Sequence, residues 1–400
     1  MHQVEFSDRR TRIDMKESLM SKSVTPSLTR KLFNMALEIG DDVINLTLGD
    51  PDVLPPEEIR KAACEAIMEG KTRYSANAGL ADVRKAYAGF FEQQYGFAIN
   101  PLENVISTVG GMEGLFLSLS TLVDEGDEVI VLGPYYVNYY QMIKMCGGKV
   151  VVVDRMGKND EELVDEINSC VNVKTVAIII NSPCNPVGDL LSKTVIDGIA
   201  DIANNKDILV ISDEVYNSLI YDGKQMDSIL FREGMKERTL LIDSCSKRFA
   251  MTGWRVGFAV GPKELIANMT KMQENVAACT PLPSQYAAIK AYSGDFDYSY
   301  IHDEYEHRRN LVYDALCKMP GIKPIKPEAT FYCFVDISET GLDCEAFAYK
   351  LLERKHVAVV PGKAYGETCS NYVRIAFTLK DEILNIAMNR IAEFCEEIMV

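Results

Sequence analysis

The sequence predicts an α/β three-layer sandwich on a mostly parallel seven-stranded sheet, joined to a smaller α+β domain. Three observations carry that expectation. From residue 105 onward, short runs rich in Val and Ile alternate with amphipathic stretches of helical length. The runs are apolar on both faces, as the strands of a parallel sheet covered by helices must be. Both chain ends lack this alternation, so the small domain is expected to draw on each of them. The expected division is 1–48 as an arm and part of the small domain, 49–295 as the large domain, and 296–400 as the C-terminal small domain.

Taken in order, residues 1–44 are polar and helical in pattern and lead into VINLTLGDPDVLPP, a short strand followed by a Gly/Pro turn. PPEEIRKAACEAIMEG reads as a helix, because Pro and Glu gather at its start. A second helix is expected over 80–95. Strands follow at 104–109, 128–133, 149–154, 175–181, 207–213, 239–244 and 255–261, with helices at 112–122, 137–146, 160–169 and 192–205. The last strands lie close together in sequence, which leaves room for an antiparallel one. DYSYIHDEYEHRRNLVYDALCKM reads as a long helix crossing between domains. FYCFVDI, HVAVVPG and YVRIAFT are then strands of the smaller unit, and 380–398 is a closing helix.

Composition narrows the function classes. Apolar residues make up 47% of the 400 and charged residues 25%, which is ordinary for a folded chain with a sizeable core. Against 42 Lys and Arg stand 58 Asp and Glu, a net charge of −16, so nucleic acid and anionic membranes are unfavoured partners. Eleven cysteines with no CxxC spacing read as reduced thiols rather than disulfides or metal ligands. The first twenty residues have no apolar h-region and no run reaches membrane length, so a cytoplasmic location is expected.

Ligands of open α/β sheets bind beyond the carboxyl ends of the strands, and five features fall at such places. In STVGGMEGLFLSL a strand runs through Gly110-Gly111 into a helix, whose free N–H groups suit a phosphate. An ordinary tight strand–helix turn is the competing reading, and neither GxGxxG nor a Walker loop is present. NSPCNPVG (181–188) holds the Asn185 amide on a loop stiffened by two prolines, although such turns are common. Asp213 in ISDEVY emerges from a buried strand, where a carboxylate demands a cation or strong donor such as a protonated cofactor ring nitrogen. Its alternative is a helix cap. Lys247, in DSCSKRFAMTGWRVGF, follows a strand among Ser244, Ser246 and Arg248, with Arg255 eight residues on. Such a lysine can act as a nucleophile of lowered pKa, although without the neighbouring motifs a surface lysine is the better reading. Arg374, in NYVRIAF, sits in an apolar strand and offers a bidentate fork to a carboxylate or, alternatively, to a structural acid.

Together and in this order, NSPCNPVG, SDEVY and the SxSK…GxRxG stretch resemble the fold-type I pyridoxal-phosphate enzymes, specifically the class I/II aminotransferases of aspartate aminotransferase-like fold. The resemblance runs from about Val43 to the C-terminus. It implies that Lys247 forms the internal aldimine with pyridoxal 5′-phosphate and shuttles a proton between the substrate α-carbon and the cofactor's C4′. Asp213 would pair with the pyridinium nitrogen, Tyr216 and Asn185 would donate to the ring's 3′ oxygen, and Tyr136 would stack on the ring. The phosphate would lie among the backbone of Gly111 and Met112, Ser244, Ser246 and Arg255. Tyr74, in TRYSANAGL, would reach the phosphate site of a second subunit, which implies a homodimer. Arg374 would clamp the substrate α-carboxylate, with Gly49 and Asn185 beside it.

Two stretches depart from the family pattern: Met112-Glu113 in the phosphate turn, and Ala329-Thr330-Phe331 where Gly-Ala-Phe is common. The implied reaction is transfer of an amino group from an L-amino acid to a 2-oxo acid such as 2-oxoglutarate. Aspartate is the expected donor, with Arg30, Lys31 or Lys363 available for its distal carboxylate; alanine or an aromatic amino acid would need no such cation. A pyridoxal-phosphate lyase acting on C–S bonds shares the same motifs. A DNA-binding regulator is disfavoured by the acidic charge and by the 44 residues before the match. His2, His302, His307 and His356 fall in none of the motifs, so lysine is the expected general acid and base.

Overall fold

The computed structural model describes residues 16–25, 28–40 and 42–399. The first fifteen residues of the expected arm lie outside that range. Its described part forms helices Leu19–Ser23 and Leu28–Ile39 and strand β1 (Ile44–Asn45).

Seven strands follow: β2 (Val105–Thr108), β3 (Glu128–Gly133), β4 (Lys149–Asp154), β5 (Thr175–Asn181), β6 (Leu209–Asp213), β7 (Thr239–Ser244) and β8 (Gly257–Val260). They make one sheet in the order β2-β8-β7-β6-β5-β3-β4. Only β8 is antiparallel to its neighbours, β7 and β2, so the room left for an antiparallel strand is used. The expected strand ends shrink by one or two residues at β2, β6 and β8.

Alternation along each strand assigns its side chains to opposite layers. In β5, Ala177 and Ile179 face the core under helices Gly110–Leu122 and Lys263–Val276, while Ile178 and Ile180 face the helices Asp160–Cys170 and Lys193–Lys206. β3 repeats the pattern with Val129 and Val131 on one side and Ile130 and Leu132 on the other. This is the expected three-layer sandwich. Toward the β2 edge, helices Glu57–Met68, Ala81–Tyr95 and Leu282–Ser293 cover Leu241 and Phe258.

Beyond helix Ser299–Leu316 the chain adds β9 (Lys323–Pro324), β10 (Tyr332–Asp336), β11 (Val357–Ala358), β12 (Val360–Pro361) and β13 (Tyr372–Ala376). HVAVVPG is therefore not one strand: Val359 separates β11 from β12, and the two halves serve different sheets. β12, β13, β10 and β9 form an antiparallel sheet, whereas β11 pairs in parallel with β1. That pairing joins the two chain ends, and Leu32, Ala36 and Leu46 share a core with Phe347, Leu384 and Phe394. All eleven cysteines are free thiols. Among the described residues, no helix is long and apolar enough to cross a membrane.

Candidate active site

A cavity of about 350 Å³ opens where the carboxyl ends of β5, β6 and β7 meet the N-terminal arm and the small sheet. Every site residue expected from the sequence lines it except Tyr74, which is 86% exposed and stands outside. Of the three cations considered for a distal carboxylate, Arg30 lines the cavity and Lys31 and Lys363 do not.

Register explains the floor. Asn181 and Asp213 are direct partners at the ends of β5 and β6, and Ser244 pairs with Gly257 at the end of β7. Asp213 is 3% exposed, and among the described residues no cation pairs with it. Its carboxylate accepts from the Tyr139 hydroxyl at 2.5 Å and the Val215 amide at 3.3 Å. Burial nevertheless pushes it up to about 6, because those two donors only partly replace water. A buried carboxylate facing a cavity in this condition fits a cationic ring nitrogen.

Lys247 follows β7 on the short helix Cys245–Arg248. Its Nζ donates to the Gly49 carbonyl at 2.8 Å and lies 4.9 Å from the centre of the Phe331 ring. Burial pushes the amine down to about 8; Asp50 opposes the shift, and Arg374 and Arg255 reinforce it. About a tenth of it is therefore neutral and nucleophilic at pH 7, far more than of an ordinary lysine. The close approach of Gly49 leaves no room for a side chain: a Cβ there would fall 1.8 Å from the Tyr332 hydroxyl.

At the glycine turn after β2, Gly110 has φ +73° and opens helix Gly110–Leu122. A Cβ on Gly110 would lie 2.4 Å from Arg255 Nη2, so the arginine can lie across the turn only because glycine is there. Arg255 donates to the carbonyls of Thr252 at 2.8 Å and Val109 at 3.3 Å, which anchors its guanidinium beside the helix N-terminus. The two departures in this turn have structural roles. Glu113 accepts from the Val109 amide, and Met112 Sδ accepts from the Tyr136 hydroxyl and the Asn138 amide, each at 3.3 Å.

At the opposite end, Arg374 is 4% exposed in β13. Its guanidinium donates to Asn185 Oδ1 at 3.0 Å and to the Thr47 carbonyl, and it stacks 4.0 Å from the Tyr332 ring centre. Its Nε is buried without a partner among the described residues, and the side chain lines the cavity, where a guanidinium fork suits a carboxylate. The Tyr216 hydroxyl lies 3.3 Å from that of Tyr332, and burial holds the Tyr216 phenol protonated as a donor. Tyr136, half-buried on the cavity wall, is pushed up to about 12 by desolvation and by the nearby Tyr332 and Asp213.

Sequence reasoning missed several residues that hold these groups. Tyr139, the donor to Asp213, lies one helical turn beyond Tyr136 in GPYYVNYY, a spacing that places both on one face. Asn181 carries the loop, its Oδ1 accepting from the Asn185 amide at 2.8 Å and its Nδ2 donating to the Asp213 carbonyl at 3.1 Å. Beneath the floor, Arg248 donates to Asn217, Tyr87 donates to Asp243 at 3.1 Å, and Tyr95 donates to Glu214 at 2.6 Å. The sequence neighbours of Asp213, Tyr216, Ser244 and Lys247 are thus all fixed in buried polar contacts. Tyr365 lies in no motif, and only the tertiary structure brings it to the cavity.

A family model described as aminotransferase class I and II matches residues 41–391. The chain belongs to the class I and II aminotransferases. They are pyridoxal-phosphate enzymes of fold type I, and the buried acid, the lysine and the phosphate turn fit that cofactor. The chain is 40% identical over 378 residues to an aspartate aminotransferase of Pyrococcus abyssi, covering 94% of this chain and 97% of that protein. It is 38% identical over 378 residues to aromatic-amino-acid aminotransferase 2 of Thermococcus litoralis, with the same coverage of 94% and 97%. The aspartate aminotransferase of Thermus thermophilus with maleate superposes with a TM-score of 0.86 at 33% identity, over 95% of this chain and 99% of that one.

Proposed function

We propose that this aminotransferase carries pyridoxal phosphate on Lys247 and moves the amino group of aspartate to a 2-oxo acid such as 2-oxoglutarate. One observation carries the reading: a cation-starved Asp213, a lysine of lowered pKa and a carboxylate-seeking Arg374 share one cavity. When bound, the cofactor supplies an electron sink for the carbanion left by loss of the substrate α-proton. Asp213 keeps a proton at the ring nitrogen, Tyr216 and Asn185 donate to the ring's 3′ oxygen, and Tyr136 covers the ring. Ser244, Ser246, Arg255 and the Gly111 and Met112 amides hold the phosphate. Arg374, with Gly49 and Asn185, orients the α-carboxylate, and Lys247 Nζ takes the α-proton and returns it.

Arg30 supports the aspartate reading, since it brings a guanidinium to the cavity wall, where it can meet a distal carboxylate. The wall formed by Met112, Tyr136, Tyr332 and Tyr365 favours a second reading, an aromatic donor. Half-reactions with a panel of amino acids, followed through the cofactor's visible band, test both. Fast reaction with aspartate and glutamate is expected, and their inertness beside a reactive tyrosine or phenylalanine would replace the first reading by the second. Release of ammonia without an oxo-acid acceptor would instead mark a lyase.

The same reading includes domains 1–48, 49–295 and 296–400, a cytoplasmic homodimer, and Tyr74 completing the phosphate site of the partner. The β1–β11 pairing and the exposure of Tyr74 support it. Sedimentation of the purified protein at about twice the chain mass tests the dimer.

A further inference from the structure

The departure at Ala329-Thr330-Phe331 coincides with the most constrained turn of the substrate side. Thr330 is fully buried and has φ +65°, a left-handed conformation that a β-branched residue rarely takes. Three contacts hold it there. Its amide donates to the Leu219 carbonyl at 2.8 Å, its own carbonyl accepts from the Tyr221 hydroxyl, and its Oγ1 accepts from the Tyr332 amide at 3.2 Å. The preceding amides of Glu328 and Ala329 both donate to the Gly188 carbonyl at 2.8 Å. The turn is therefore pinned to the loop that follows Asn185 and to the one that follows Tyr216.

Directly after it, Phe331 faces Lys247 and the Tyr332 ring lies against Arg374. Alanine or glycine would bear the same φ with less strain, and neither could accept from the Tyr332 amide. We propose that Thr330 is a positioning residue: its hydroxyl fixes the Tyr332 backbone so that the ring holds Arg374 in line for a substrate carboxylate. The inference rests on Arg374 being the carboxylate site.

The test uses the holoenzyme and two unreactive carboxylates lacking an amino group, maleate and 3-phenylpropionate, with dissociation constants from calorimetry. T330A should weaken both by about tenfold, the worth of one buried hydrogen bond. T330G, free of strain, should weaken both equally while melting no lower than the parent. T330S keeps the oxygen and should bind as the parent does. In steady state T330A should raise KM with kcat changed less than about twofold, a uniform-binding loss. Unchanged binding in T330A, a T330S defect as large as that of T330A, or a loss confined to one ligand would each overturn the proposal. So would a loss that follows cofactor release or a lowered melting temperature. R374K separates the two readings. If R374K weakens both ligands and T330A does not, Thr330 alone fails; if R374K leaves binding intact, the carboxylate site fails and Thr330's role falls with it.

Discussion

At the floor of the cavity Asn181, Asp213 and Ser244 end three neighbouring strands, whereas along its wall Arg30, Thr47, Tyr332, Tyr365 and Arg374 come from the two ends of the chain. Main-chain register sets the floor: Asn181 sits opposite Asp213, and Asp213 opposite Ile242. A ladder joins only part of the wall: Tyr332 and Arg374 stand on the paired strands β10 and β13, while Arg30, Thr47 and Tyr365 reach it from outside that sheet. Thr47 and Arg374 meet through one hydrogen bond, and Tyr332 and Arg374 through ring stacking. On the proposed reading, chemistry common to many substrates sits on the large sheet, and recognition of one substrate where the small sheet, the arm and Tyr365 meet it.

The comparison breaks most easily at Lys247. Lys247→Ala should lower turnover by about three orders of magnitude or more, because on the proposed reading it removes both nucleophile and proton carrier. The variant should melt no lower than the parent, since burial already disfavours the lysine's charge. In the parent, covalent capture of an added aldehyde by the cofactor-free protein should speed up as pH rises to about 8 and level off above, as the amine becomes neutral. A capture rate still rising steeply from pH 9 to 10.5 would contradict the burial account.

Asp213→Asn should cost about a hundredfold in turnover. Its stability effect has the opposite sign in the cofactor-free protein. The folded Asp213 titrates near 6 against an ordinary 3.8, so the native state holds the extra proton between those values. Stability from this group is greatest below pH 3.8, is lost as pH rises through 6, and stays lost above, on the order of 3 kcal/mol. Thermal melts of parent and Asp213→Asn should therefore coincide near pH 4, move apart as pH rises to 6, and stay apart above it, the variant being the more stable.

At the wall, Arg374→Lys should raise KM for the amino acid by about ten- to a hundredfold, because a point charge replaces a planar fork. Steady-state kinetics with donor and acceptor varied separately check it, and both should suffer alike. Tyr139→Phe touches no substrate and should leave KM near that of the parent; its effect is on stability, the loss of one hydrogen bond to a charged group, about 1.5–3 kcal/mol at most. Without that donor Asp213 should titrate still higher, which a pH series of melts would register.

Legibility in the sequence follows the same division. The Val- and Ile-rich runs marked the central strands to within two residues, because burial on both faces leaves little freedom in composition. The floor residues were legible because each lies in a motif at a strand end. HVAVVPG was misjudged as one strand, since an apolar run cannot say that Val359 hands the chain from one sheet to another. The wall was only partly legible. Arg374 stood out as a charge in an apolar strand, but Arg30, Lys31 and Lys363 were equivalent until packing put Arg30 at the cavity. Tyr365 and the strain at Thr330 depend on contacts between distant segments, which no local pattern encodes.

The central claim is that Lys247 is the residue to which pyridoxal phosphate attaches in this cavity. The most direct measurement is borohydride reduction of the protein purified with its cofactor, followed by peptide mapping of the modified lysine. The account predicts a single pyridoxyl group on Lys247, in the peptide containing Ser246 and Arg248. Modification of another lysine, or a protein that takes up no pyridoxal phosphate, would contradict it.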